Sequence, residues 1–205
     1  MLSLILSMER SYIEEILSGK KDKVLVKGWV HDKRDLGKIR FLLLRDVTGI
    51  IQITAIKDKT NNKDFELMKE ISSESVLSIE GKTKESKQAP GGVEIIPDKI
   101  EIISRAEQPL PIDVSDFSKT IIDKRLDWRS LSLRTKKSRA IFKIQAKIIE
   151  GMQEWLNKNG FYQVFTPCLM GVPSESGSEV FEVKYFDKKA FLRQDPQLHR
   201  QLTIA

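Results

Sequence analysis

Residues able to do chemistry are few in this chain of 205 residues. Two polar runs stand out, Ser174-Glu175-Ser176-Gly177-Ser178-Glu179 and Gln194-Asp195-Pro196-Gln197-Leu198-His199-Arg200-Gln201. On residue type alone Glu175 reads as a solvated loop acid, and Phe41, within an apolar run, as an ordinary core residue. Other chemistries lack their parts. Cys168 is the single cysteine, so no intrachain disulfide or cysteine-based metal cage can form, and around the two histidines, His31 and His199, no cluster suggests a metal site or a nucleophile–base triad. No glycine-rich phosphate loop occurs either.

The elements that must carry these residues follow from periodicity. Residues 24–30 (VLVKGWV), 39–45 (IRFLLLR) and 50–56 (IIQITAI) read as strands, the last two joined by an Asp46-Val47-Thr48-Gly49 turn. A short amphipathic helix over 64–71 and strands over 75–82 and 93–103 follow, with Pro90-Gly91-Gly92 as the loop between them. Three strands, a helix and two strands match a five-stranded Greek-key barrel of the OB-fold type, with a generic small β-barrel as the alternative. Prolines 109 and 111 open an extended linker over 107–125. Ile141, Ile144, Ile148, Met152, Trp155 and Leu156 recur at helical steps over 138–159, and Gly160 supplies a stop. Strands are expected at 161–166, 179–185 and 189–193. The fold class is α+β, divided into an extension (1–19), a barrel (20–106), the linker (107–125) and a second domain (126–205).

Net charge is +6, which suits a polyanionic partner or simply keeps a lysine-rich surface soluble. The apolar start, Met1–Ser7, is too short for a membrane span and lacks the basic start of a signal peptide. A cytoplasmic protein without membrane attachment is the expectation.

Several strings, in this order and spacing, resemble the opening of a class II aminoacyl-tRNA synthetase of the archaeal and eukaryotic aspartyl type. They are Gly28-Trp29-Val30-His31, Phe41 with Leu44-Arg45-Asp46, Arg105-Ala106-Glu107, Pro109-Leu110-Pro111, Arg125-Leu126-Asp127, Tyr185-Phe186 and the Gln-x-Pro-Gln run. The resemblance covers residues 9 to 205. It implies that the barrel binds the tRNA anticodon, with Phe41 stacking on the central base and Gln52 and Glu80 bonding base edges. His31 and Pro90 resemble the non-discriminating type, which charges the asparagine tRNA as well as the aspartate tRNA, because neither supplies a side chain that penalises one third anticodon base. The 138–167 unit resembles the motif that builds a homodimer interface.

The resemblance further implies an aspartate site. Glu175 falls where a carboxylate holds the substrate α-amino group. Gln194 and Gln197 would bond the amino acid, Leu198 and His199 line its site, and Arg200 stands where a lysine reads the side-chain carboxylate, which favours aspartate over asparagine. Departures from the family pattern are Ser176 for glycine, Asp195 for serine, His199 for tyrosine, Arg200 for lysine, Trp128 for asparagine and Ser132 for aspartate. ATP and Mg2+ are the cofactors implied for the full-length enzyme, held by motifs that lie downstream of residue 205 in the family. These residues alone are therefore expected to form no aspartyl-adenylate and to bind no cofactor, and 126–205 to fold less independently than the barrel. The competing readings are a non-catalytic tRNA-binding module derived from such an enzyme, and part of an asparaginyl-tRNA synthetase, which Arg200 argues against.

Overall fold

The computed structural model describes residues 9–19, 21–115, 118–173, 180–194 and 197–204, with nothing said of the Leu198 side chain. The chain forms two compact units, Met1–Pro111 and Ile112–Ala205.

The first unit is a closed barrel in the order β1-β2-β3-β5-β4. Its strands are β1 (Lys23–Asp35), β2 (Ile39–Arg45), β3 (Ile50–Ile56), β4 (Val76–Glu85) and β5 (Val93–Ser104). Alternation sets the two faces. On β2, Leu42 and Leu44 point inward and are fully buried while Phe41 and Leu43 are half-buried on the outside. β1 is long enough to pair with both β2 and β4, bending at a β-bulge between Val30 and Asp32 where His31 is the extra residue. Gly28 sits where β1 crosses closest to β2. A Cβ there would lie 2.4 Å from the Arg45 carbonyl oxygen, so no larger residue fits. The barrel closes through a parallel pairing of Gln52 with Glu94 and Ile53 with Ile95.

Two helices stopper the barrel. α1 (Ile13–Ser18) lies within the segment expected as an extension, yet it inserts Ile13 and Ile16 into the core. α2 (Asn62–Glu70) adds Phe65 and Met68. The Asn61 side chain caps the first turn of α2 by accepting from Asp64 N–H at 2.9 Å, and Asp64 in turn accepts from Ile100 N–H at 3.1 Å, tying α2 to β5.

Asp46 fastens α1 to the β2–β3 turn. Its carboxylate, 2 % exposed, accepts from Ile13 N–H (3.0 Å), Thr48 N–H and Oγ1–H (both 2.7 Å) and Gly49 N–H (2.9 Å). Burial raises its pKa, but the bonds from Thr48, Ile13 and Gly49 outweigh burial and hold it below the ordinary aspartate value. A lowered folded-state pKa contributes stability that is present above the unfolded value and lost as pH falls through the folded one. Asp46→Asn keeps one acceptor oxygen in place of two, and should cost about 1–3 kcal/mol at neutral pH. Urea denaturation should show this gap closing below about pH 4; a gap constant down to acid pH would contradict the assignment.

The second unit contains α3 (Ile122–Asp127), α4 (Arg129–Ser132), the long α5 (Lys136–Lys158), β6 (Leu169–Met170), β7 (Glu182–Tyr185), β8 (Lys188–Leu192) and α6 (Gln197–Gln201). The strands form a small antiparallel sheet in the order β6-β8-β7. Thr135 caps α5 by accepting from Ser138 N–H at 3.3 Å. The expected strand at 161–166 is not formed. Among the described residues no strand pairs with it, and an extended run without a hydrogen-bonding neighbour does not become sheet.

Candidate nucleic-acid interface and amino-acid site

Strand register places the residues of the outer barrel face in rows. One row runs Asp32, Leu43, Gln52, Glu94 across β1, β2, β3 and β5, and the next runs Arg34, Phe41, Thr54. Together with Pro90, which opens a short 3-10 turn before β5, members of these rows line one groove of about 470 Å3. Phe41, Gln52 and Pro90, singled out from three separate segments, thus share a single concavity. An aromatic face beside a side-chain amide on an open groove can stack a base and bond its edge.

The two rows are wired to each other at Glu94. Glu94, 5 % exposed, accepts from Thr54 Oγ1–H at 2.7 Å and Gln52 Nε2–H at 3.1 Å, and Lys84 Nζ stands 3.4 Å from its other oxygen. A carboxylate accepts only, so Glu94 fixes which end of the Gln52 amide faces it: the nitrogen. The oxygen Oε1 is then the acceptor that Gln52 offers to a ligand. Sequence reasoning missed Glu94, because a strand glutamate carries no local sign of burial. The pairing that buries it joins residues 42 positions apart.

Two neighbours are committed to structure. Lys33 Nζ donates to the Lys69 and Ile71 carbonyls at 2.8 and 2.6 Å, closing the C-terminal end of α2. Arg40 stacks 4.0 Å over the Phe65 ring and donates to Asp35 at 3.0 Å. The Gly37 backbone N–H, with the Arg40 guanidinium behind it, holds Asp35 below the usual carboxylate range.

His31 lies on the same sheet, where Arg45 Nη1 approaches its Nδ1 at 3.1 Å. Arg45 also donates to both oxygens of Glu74, at 2.8 and 2.9 Å. Glu80 is elsewhere: it stands on β4 between Leu25 of β1 and Lys99 of β5 and does not line the groove.

In the second unit, Gln194 lies two residues after the end of β8, and Gln197, Leu198, His199 and Arg200 lie on α6. Arg193 anchors this run, donating to the Thr166 side chain, to the Thr166 carbonyl at 3.0 Å and to the Pro167 carbonyl at 2.9 Å. His199 is half-buried and its Nδ1 has no hydrogen-bond partner among the described residues. Glu175 and Asp195 lie outside the described residues. Among the described residues no group of three or more His, Cys, Asp or Glu side chains could hold a metal ion. No described helix is long and apolar enough to cross a membrane.

Comparison with known proteins agrees with this geometry. Residues 24–103 match the OB-fold nucleic acid binding domain family and residues 122–205 match the class II tRNA synthetases (D, K and N). The chain is 43 % identical over 183 residues to the aspartate–tRNA(Asp/Asn) ligase of Archaeoglobus fulgidus, covering 89 % of this chain and 43 % of that protein. It is 46 % identical over 180 residues to the ligase of the same description from Methanocorpusculum labreanum, covering 88 % and 42 %. The crystal structure of asparaginyl-tRNA synthetase from Pyrococcus horikoshii with asparaginyl-adenylate superposes with a TM-score of 0.87 at 36 % identity, over 97 % of this chain and 45 % of that one. The chain spans less than half the length of these relatives. A barrel that matches the OB-fold nucleic acid binding family, followed by a second unit that matches the synthetases, places the chain in the family of class II tRNA synthetases of the D, K and N group.

Proposed function

We propose that the groove on the barrel binds a tRNA anticodon loop, and that the protein acts as an aspartate–tRNA ligase on both the aspartate and the asparagine tRNA. The observation that carries this reading is the convergence of Phe41, Gln52 and Pro90 on one groove. Phe41 stacks the central base. Gln52, oriented by Glu94, offers its carbonyl oxygen to a base N–H. His31 and Pro90 take the third base. The net charge of +6 supports a polyanionic partner, and the first two relatives are named for both tRNAs.

In the second unit the same reading gives Glu175, Gln194, Gln197, Leu198, His199 and Arg200 to aspartate, with ATP and Mg2+ serving the activation step. The segments are an anticodon-binding domain at 20–106, a hinge at 107–125 and a catalytic portion from 126. A homodimer is supported by α5, whose Ile141, Ile144, Ile148, Met152 and Trp155 are each more than half exposed along one helix.

Binding of labelled anticodon stem-loops at fixed salt tests the proposal. Loops carrying GUC and GUU should bind within about threefold of each other, and a loop with all three bases changed should bind at least about tenfold more weakly, since each mismatch costs roughly 1–3 kcal/mol. Equal binding of the changed loop would remove the reading.

A further inference from the structure

Two glutamines line the barrel groove, and they differ in freedom. Gln52 is tied through its Nε2 to Glu94, so its amide presents one fixed polarity. Gln88 lines the same groove from the loop between β4 and β5. It is exposed, and among the described residues its amide has no hydrogen-bond partner.

The backbone under Gln88 is pinned. Ala89 N–H donates to the Ser86 carbonyl at 3.1 Å, and Gly92 N–H to the Ala89 carbonyl at 2.9 Å. Ser86 N–H donates to the Gly92 carbonyl at 2.9 Å, and Ala89 is buried. Gly91 takes φ 75° and packs so closely on Leu17 of α1 that an added Cβ would stand 2.7 Å from that side chain. A fixed loop thus carries a side chain whose last torsion is broad and two-fold. Its oxygen and nitrogen can exchange places at little cost.

The other side chains of the groove lack this freedom. Asp32 only accepts, Lys33 and Arg34 only donate, and the rest of the lining is apolar. We propose that Gln88 is a specificity-determining residue for the third anticodon base, admitting both cytosine and uracil by turning its amide. This rests on the reading that the groove binds an anticodon with its third base at Pro90, two residues further along the same loop. Cytosine and uracil present opposite polarity at N3 and at the exocyclic 4-position. Facing cytosine, Gln88 Nε2–H donates to N3 while Oε1 accepts from the 4-amino group. Facing uracil, the turned amide accepts from N3–H at Oε1 and donates from Nε2 to O4. Each base is bonded twice along its Watson–Crick edge, and neither leaves an unpaired group there. A side chain of one polarity would penalise one of the two.

Binding of anticodon stem-loops to the full chain tests this. Gln88→Met keeps the length of the side chain and removes its polar atoms. It should weaken GUC and GUU loops alike by about five- to tenfold and leave a loop abasic at the third position unchanged. Gln88→Glu can only accept, so it bonds the cytosine 4-amino group and is repelled by uracil O4. GUC should then bind at least about fivefold more tightly than GUU. Comparing the two loops on one protein cancels the added repulsion from phosphates. An unchanged ratio of GUC to GUU in Gln88→Glu overturns the proposal, as does an equal loss on the abasic loop in Gln88→Met. Phe41→Ala separates this result from the reading beneath it. A loss there with none in Gln88→Met overturns the role of Gln88 alone. No loss in either variant removes the anticodon from the groove, and the proposal with it.

Discussion

Replacing Phe41 with alanine should weaken binding of the cognate anticodon stem-loop roughly 5- to 150-fold, because stacking of one base on an aromatic ring is worth about 1–3 kcal/mol. The barrel itself should survive. Phe41 is half-buried on the outer side of β2, and the core on the other side is made by Leu42 and Leu44, which are untouched by the change. Phe41→Tyr keeps the flat face and should bind within a few-fold of wild type. Phe41→Leu keeps apolar area but has no π face, so it should resemble alanine. Fluorescence anisotropy at constant ionic strength, with a thermal melt of each variant, separates stacking from bulk apolar contact. Full affinity in the alanine variant would end the assignment of this groove to nucleotides.

Glu74→Ala is expected to be the most damaging single change in the barrel to stability. It leaves the Arg45 guanidinium, whose side chain is 5 % exposed, without its carboxylate, and breaking a buried pair from one side costs about 3–5 kcal/mol. Against a typical domain stability of about 5–15 kcal/mol, that brings the barrel close to its unfolding threshold. Alanine also inherits the left-handed backbone at this position, so the strain is not relieved. Arg45→Met combined with Glu74→Gln removes both charges and should recover most of the loss. Urea denaturation of the three proteins decides the matter. A loss below about 1 kcal/mol in the single variant would mean that solvent reaches Arg45 and the pair is of the surface kind.

Much of the barrel was legible before its structure was known. The limits of β2 and β3 follow from the residues alone, because Asp46-Val47-Thr48-Gly49 makes an unmistakable turn between two apolar runs. The helix over 64–71 shifts only to Asn62–Glu70, since Asn61 supplies the cap. The strand expected at 161–166 failed for a different reason: its composition favours extension, but sheet formation is a property of pairs, and composition is silent on partners. Among site residues, Phe41, Gln52 and Pro90 were found through a resemblance, and the register of β1, β2 and β3 explains why the first two share a face. Glu80 came from the same resemblance and stands on β4, while Glu94, which no residue pattern singled out, lies beside Gln52. A carboxylate on a strand looks alike in either position until the parallel contact between β3 and β5 is known. Arg45 was visible as part of a string, but its alliance with Glu74 and His31 depends on a bulge and a left-handed residue that leave no periodic trace.

The parallel contact that closes the barrel has a mechanical meaning. Gln52–Glu94 and Ile53–Ile95 form a narrow clasp on an otherwise antiparallel ring, and Gln52 and Glu94 are also the side chains wired together beneath the groove. A nucleotide that bonds Gln52 as proposed, and binds only the closed ring, would stabilise this clasp by mass action.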